Sequence, residues 1–294
     1  MKKINSILIA VAILLGFSTS INAQILYKVE KKGSDKVSYL LGTHHFAPLA
    51  VIDSISELPS MLKSVDKLYG ELDMAQMTDP AVMQGMQMAL MAPSDSTLDK
   101  VLDEAQLAKL NGVWNNLTGG AAPLSMMYGV KPSVVATQIA AILTQKVFPE
   151  LNPMEGIDKI MQDRAKENGK PVEGLETMDF QINMLYNRPI SEQAEGLMKT
   201  VDDFDNAEKK SVELANAYLN HDLDSILKMM EEEEDDAETM DRMIYNRNSA
   251  WVSRIANEMP QESIFVVVGA AHLPGKKGVI EGLRNAGFKV TPVK

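Results

Sequence analysis

The chain contains no cysteine. A secreted form must therefore be held by packing without disulfides, and a lipid anchor attached through a thioether is excluded. Aromatic residues are sparse, at 5% of the chain, which counts against a haem pocket. Cations are outnumbered, with 29 Lys and Arg against 40 Asp and Glu, for a net charge of −11. Such a balance repels nucleic acid and anionic lipid surfaces. Histidine is scarce too, at four in 294 residues. Beyond the first 23 residues, no stretch approaches the roughly 20 apolar residues needed to cross a bilayer.

What is present begins with a leader pattern. Lys2 and Lys3 precede an apolar run from Ile7 to Phe17, and Ser20-Ile21-Asn22-Ala23 ends in a small residue. Residues 1–23 read as a secretory signal peptide, with an uncleaved N-terminal anchor as the alternative. Cleavage removes Lys2 and Lys3 and takes the net charge from −11 to −13. The expected location is secreted or periplasmic, with no stable membrane span after cleavage. Residues 24–294 are long enough for one domain with a sizeable core.

The pattern alternates at both ends of this stretch. Ile25 to Glu30 and Lys36 to Leu41 read as a hairpin around a turn cluster, and Lys67 to Leu72 as a third strand. Ile52 to Val65 has helical spacing between them. Helices are expected over Leu98 to Leu117, where Asp95-Ser96-Thr97 offers an N-cap, and over Pro132 to Val147 and Gly156 to Asn168. Val172 to Leu175 reads as a short strand, and Asp202 to Met259 as two long helices parted near Glu231 to Asp236. Ile264 to Val268, Gly275 to Ala286 and Phe288 to Val293 read as strand, helix and strand, which implies parallel pairing. The fold class is α/β: a mixed, largely parallel central sheet formed from N- and C-terminal segments. A large helical insertion covers roughly residues 80–150 and 190–260. No fixed-period repeat is present.

Each expected strand ends in a polar group. VSYLLG runs into Thr43-His44-His45, KLYG into Glu71-Leu72-Asp73, VEGL into Glu176-Thr177, and IFVVVG into Ala270-Ala271-His272. Ligands of open parallel sheets sit beyond the carboxyl ends of strands, so four segments can bring histidines and carboxylates to one mouth. A glycine stands three residues before His45 and before His272, where it allows a sharp turn or a close approach. Neutral imidazoles with a carboxylate suit zinc, manganese or cobalt, and a metal with an open position polarises a carbonyl and activates water. The alternative is a pair of structural histidines hydrogen-bonded at strand ends.

YLLGTHH, GELD, GIDKIMQDRAKENGKPVEGLET, YNRNSAW and FVVVGAAHLPGKKGVIEGLRNAGFKV, in that order, resemble the TraB/GumN family. The similarity spans nearly all of 24–294 and is weakest over 80–150 and 190–235. The family includes the Tiki metalloproteases, which are membrane-tethered and use manganese or cobalt. It is distantly similar to erythromycin esterases and to a haem-binding ChaN-like group. The resemblance implies an active site of His45, His272 and Glu71, with a polar pair at Arg247 and Asn248. It also brings Glu176 into consideration, through the family's Leu-Glu-Thr.

The remaining candidates divide between chemistry and structure. His44 reads as a supporting or exposed residue that can exchange roles with His45. Glu71 is a ligand or general base, and Asp73 competes with a capping role. Glu176 is an active-site acid or a first-turn acid, and Asp158 reads as a first-turn acid. Arg247 stabilises an oxyanion, binds a substrate carboxylate, or is a solvated helix arginine. His221 reads as exposed. The acids from Glu231 to Asp236 read as a solvated helix break. Met83, Met86, Met88 and Met91 read as core, with an adaptable groove for peptide side chains as the alternative. The expected function is a secreted metal-dependent hydrolase acting on a peptide or small molecule. A divalent manganese, cobalt or zinc ion would be held by His45, His272 and Glu71. A haem- or ligand-binding protein and a metal-independent esterase-type hydrolase are the alternatives.

Overall fold

The computed structural model of the chain describes residues 24–149, 155–233 and 237–293. The leader-like residues 1–23 and the acids at 234–236 lie outside the described residues. Six strands form one sheet: β1 Leu26–Lys31, β2 Val37–Thr43, β3 Lys67–Gly70, β4 Val172–Gly174, β5 Ile264–Gly269 and β6 Phe288–Pro292. Their order is β4-β3-β5-β2-β1-β6. The pairs β4–β3, β3–β5 and β5–β2 are parallel, whereas β1 runs against both β2 and β6.

The sequence dictates this order through burial. Residues 264–268 of β5 are apolar without alternation and all buried, as a strand covered on both faces must be. β1 is only partly buried and stands next to the edge strand β6. Leu40, Leu68, Val267, Trp251 and Ile255 join one buried cluster around the sheet. A second buried cluster, including Leu98, Leu110, Trp114, Ile139 and Leu197, lies within the helical insertion.

Several elements depart from the sequence expectation. β5 and β6 point the same way but are not neighbours, because β2 and β1 stand between them. The helix expected over 52–65 is two pieces, Ala50–Asp53 and Leu58–Ser64, and Pro59 sits in the first turn of the second, where it needs no N–H partner. The helix expected over 98–117 breaks likewise. Asp103 and Gln106 form a capping box that starts a new helix at Glu104. The helix expected from Gly275 begins at Val279, because Gly275 adopts φ +83° in the turn before it. The helical stretch after Asp202 turns at His221, half-buried rather than exposed, with φ 58°.

The methionine reading is corrected as well. Met83, Met88 and Met91 are 51%, 66% and 48% exposed, and the Pro80–Leu90 helix has no buried residue. That helix lies against Met178–Tyr186, outside both buried clusters. No helix of the described residues is long and apolar enough to cross a membrane.

Candidate active site

β2, β3, β4 and β5 run in the same direction and end at Thr43, Gly70, Gly174 and Gly269 along one edge of the sheet. A cleft of about 380 Å³ opens there, lined by residues that include His45, Glu71, Gln181, Arg247 and His272. The strand-end glycines permit a close approach rather than an unusual turn. A Cβ on Gly42 would lie 2.9 Å from Leu273 Cδ1 and 3.1 Å from Ala270 Cα. The two histidine loops are thereby packed against each other.

Arg247 is the centre of the site. It shares one stripe of the Asn246–Glu258 helix with Trp251 and Ile255, at four-residue spacing, so the helix buries it. A π-helical turn, Asp241–Tyr245, leads directly into that helix. Nε of Arg247 donates to Glu176 Oε2 at 3.0 Å, and Nη2 donates to Glu71 Oε2 at 2.6 Å and to Glu176 Oε1 at 2.7 Å. Nη1 donates to the Met243 carbonyl at 2.9 Å and to His272 Nε2 at 3.1 Å. A guanidinium carries five N–H donors, and all five are used. Arg247 therefore holds no donor in reserve for an oxyanion, and its role is to position the groups around it. The side chains of Arg247, Glu71 and Glu176 are 5%, 11% and 6% exposed.

Asn248 fixes His272. Its Nδ2 donates to the carbonyls of His272 and Lys277, at 3.2 and 2.9 Å, so Oδ1 is the atom that faces His272 Nδ1 at 2.7 Å. Nδ1 carries the ring proton and Nε2 presents its lone pair. The ring lies against Trp251, with centroids 4.5 Å apart. Burial pushes His272 down to about 4, so it is neutral at neutral pH. Glu71 Oε1 accepts from the Gly269 N–H at 2.8 Å and stands 3.8 Å from His272 Nε2. Burial opposes the charge of Glu71, but the neighbouring His272 and Arg247 outweigh it and hold the carboxyl at about 2. Such a carboxylate is a weak base and a good ligand.

His45 sits across the cleft and is 63% exposed. Its Nδ1 donates to Asp158 Oδ2 at 2.8 Å, and the other oxygen of Asp158 accepts from Thr43 Oγ1 at 2.8 Å. Asp158 raises the imidazole to about 9. Among the described residues, Nε2 of His45 has no hydrogen-bond partner. His44 does not exchange with it. Its ring packs against Tyr218 at 5.5 Å and Phe148 at 6.2 Å, and burial pushes it down to about 4.

The structure thus brings His45, Glu71, Glu176, Arg247, Asn248 and His272 to one cleft and its immediate support. Asp73 is elsewhere in role: it caps the Met74–Thr78 turn through Ala75 N and pairs with Lys166. Asp158 is the first-turn acid the sequence implies, and it also anchors His45. Gln181, which donates to Glu71 Oε2 at 3.3 Å and Glu176 Oε1 at 3.0 Å, carries no sequence signal of its own. Tyr218 was hidden in the same way, and its hydroxyl donates to the Gly42 carbonyl at 3.1 Å.

The fold and cleft define an α/β protein whose polar site lies at the carboxyl ends of parallel strands. The sequence pattern of the TraB/PrgY/gumN family matches residues 25–292, and the chain belongs to that family. It is 27% identical over 253 residues to "Uncharacterized protein YbaP" of Escherichia coli (strain K12), covering 83% of this chain and 84% of that protein. The Shigella flexneri protein of the same description matches to the same extent. No solved structure matches.

Proposed function

We propose that the cleft is the active site of a secreted or periplasmic hydrolase acting on peptides or small molecules. In this reading a divalent manganese, cobalt or zinc ion is held by His45, His272 and Glu71. One observation carries it. Both imidazoles commit Nδ1 to a fixed oxygen, Asp158 for His45 and Asn248 for His272, which turns Nε2 into the cleft, free among the described residues on His45 and on Arg247 Nη1 for His272. Anchoring of this kind accompanies metal-ligating histidines.

The donor chemistry suits a borderline divalent ion, with two imidazole nitrogens and an ionised carboxylate. As arranged, no three His, Cys, Asp or Glu side chains among the described residues converge to hold one ion. The single lone pair of His272 Nε2 accepts from Arg247 Nη1. Ion binding and that hydrogen bond are therefore mutually exclusive. A bound ion would supply Lewis acidity towards a carbonyl or a water.

The chain's own residues do the rest. Arg247 and the Gly269 N–H keep Glu71 ionised and pointed at the His272 side of the cleft. Glu176 holds the guanidinium in place, and Gln181 donates to both glutamates. The Arg247 N–H on its Nε2 argues against His272 as a general base. Metal content and calorimetric titration of the purified protein with manganese, cobalt and zinc test the proposal. One equivalent is expected in the wild type, and loss of binding in both His45→Ala and His272→Ala. Unchanged binding in those variants, or no uptake by the wild type, sinks it.

A further inference from the structure

The cleft has a second wall that the polar groups do not use. Met184, Leu185, Leu214, Ile226, Met230 and Met243 line it, contributed by four separate helical segments. None of the six is charged, and three are methionines, whose unbranched thioethers adapt to varied apolar shapes. Opposite them the lining carries Glu71, Arg247, His45 and His272, while Glu176 and Asp158 hold Arg247 and His45 from outside it. Arg247 is already paired with the two glutamates, and Nδ1 of His45 with Asp158. Arg247 is the only Lys or Arg on the cleft wall among the described residues, and its five donors are occupied.

These features select among occupants. Among the described residues, a free carboxylate against the methionine wall meets no cation on that wall and no free donor on Arg247. A lysine or aspartate side chain against the methionine wall loses its hydration without gaining a partner. A large apolar side chain loses nothing and buries its surface. We infer that this wall is the binding subsite for an internal peptide residue with a large apolar side chain, flanked on both sides by neutral amides. The inference rests on the hydrolase reading for the position of the reacting bond, but the wall's selectivity is measurable without turnover.

Methionine-methyl NMR of the purified protein provides the test. The probes are acetyl-Gly-Leu-Gly-amide, its Asp and Lys counterparts, and acetyl-Gly-Leu ending in a free carboxylate. The capped leucine peptide should shift the methyl signals of Met184, Met230 and Met243 saturably. The other three should bind about tenfold more weakly or less. Met243→Glu and Leu214→Gln should each weaken the leucine peptide by a similar factor, while Met126→Glu, on an exposed turn, leaves it unchanged. His272→Ala should keep the selective binding. Selective binding without hydrolysis of any peptide would count against the hydrolase reading and support this one. Equal binding of the charged peptides overturns the inference. So does the absence of saturable shifts, or leucine binding that survives both wall substitutions.

Discussion

At the scale of single residues, the site is organised around a cation whose bonding capacity is spent. Removing it should be costly in a specific way. Arg247→Met keeps much of the volume but leaves Glu71 and Glu176 buried together without their shared partner. Breaking a buried ion cluster by deleting one member costs roughly 3–5 kcal/mol, because a charge is left uncompensated. Chemical denaturation should show a loss of that order. A loss below about 1 kcal/mol, the range of surface pairs, would mean that the cluster is solvated and the guanidinium dispensable. Asn248→Leu removes one acceptor and two donations and should cost about 1–3 kcal/mol per buried group left unpaired. It also frees the His272 ring, so Nδ1 loses its fixed proton, visible in the ring nitrogen shifts. Much at this scale was readable in the sequence. The Gly-x-x-His spacing marked His45 and His272 because few histidines are present to compete. Gln181 could not be found that way, since one glutamine in a helix carries no spacing rule. Nor does the sequence show that Arg247 lacks a free donor, because its five acceptor atoms come from three distant segments and its own helix entry.

At the scale of elements, glycine separates two kinds of position. Gly42 ends β2 where the loop carrying His272 crosses it, and an added Cβ meets Leu273 and Ala270. Gly85 lies inside the exposed Pro80–Leu90 helix with nothing within 4 Å. Gly42→Ala should destabilise by about 1–3 kcal/mol through overpacking. Gly85→Ala should stabilise by roughly 0.5–1 kcal/mol through helix propensity. Thermal melts of the two variants give shifts of opposite sign, and a stabilised Gly42→Ala would show that the β2 end can open freely. The other end of β3 is held differently. Lys67 pairs with Glu258 and Glu262 at 2.8 Å each, and Tyr69 donates to Glu258 at 2.8 Å. Burial opposes the charge of Glu258, but Lys67 and Tyr69 lower its pKa below the usual value. A carboxyl lowered by folding stabilises above its unfolded pKa of about 4.3 and loses that contribution as acid protonates the native state. Stability should fall as pH drops below about 4.5, and Glu258→Gln should fall less steeply over that window. Parallel slopes would place the acid sensitivity elsewhere. Strand positions were legible because alternation and apolar runs are local. Breaks at Pro59 and Asp103 were legible in principle, since both are capping signals. The neighbour order of β6 was not, because a crossover of given length reaches past two strands as readily as one.

At the scale of the whole molecule, the sheet is closed by pairing that spans most of the chain. Tyr39 of β2 is opposite Phe265 of β5, and β1 receives β6 from the C-terminal end. The helical insertion lies between these partners in sequence and has its own buried cluster around Trp114, Ile139 and Leu197. Its main contacts join Glu104–Thr118 and Pro132–Val147 to Ile190–Asp202, shorter spans than the loop of more than 200 residues that the sheet must close. Tyr218 belongs to the sheet's own cluster, where its hydroxyl donates to the Gly42 carbonyl. This arrangement separates a sheet-centred unit, to which Leu214 and Ile226 of the apolar wall belong, from the helical cluster. Local opening is easier where a cooperative unit has fewer long-range partners. Amide hydrogen exchange in rising urea should therefore lose protection first in the helices Glu104–Thr118, Pro132–Val147 and Ile190–Asp202. β2 and β5 should follow at a higher urea concentration. A single midpoint for all five segments would show that the insertion and the sheet unfold as one unit.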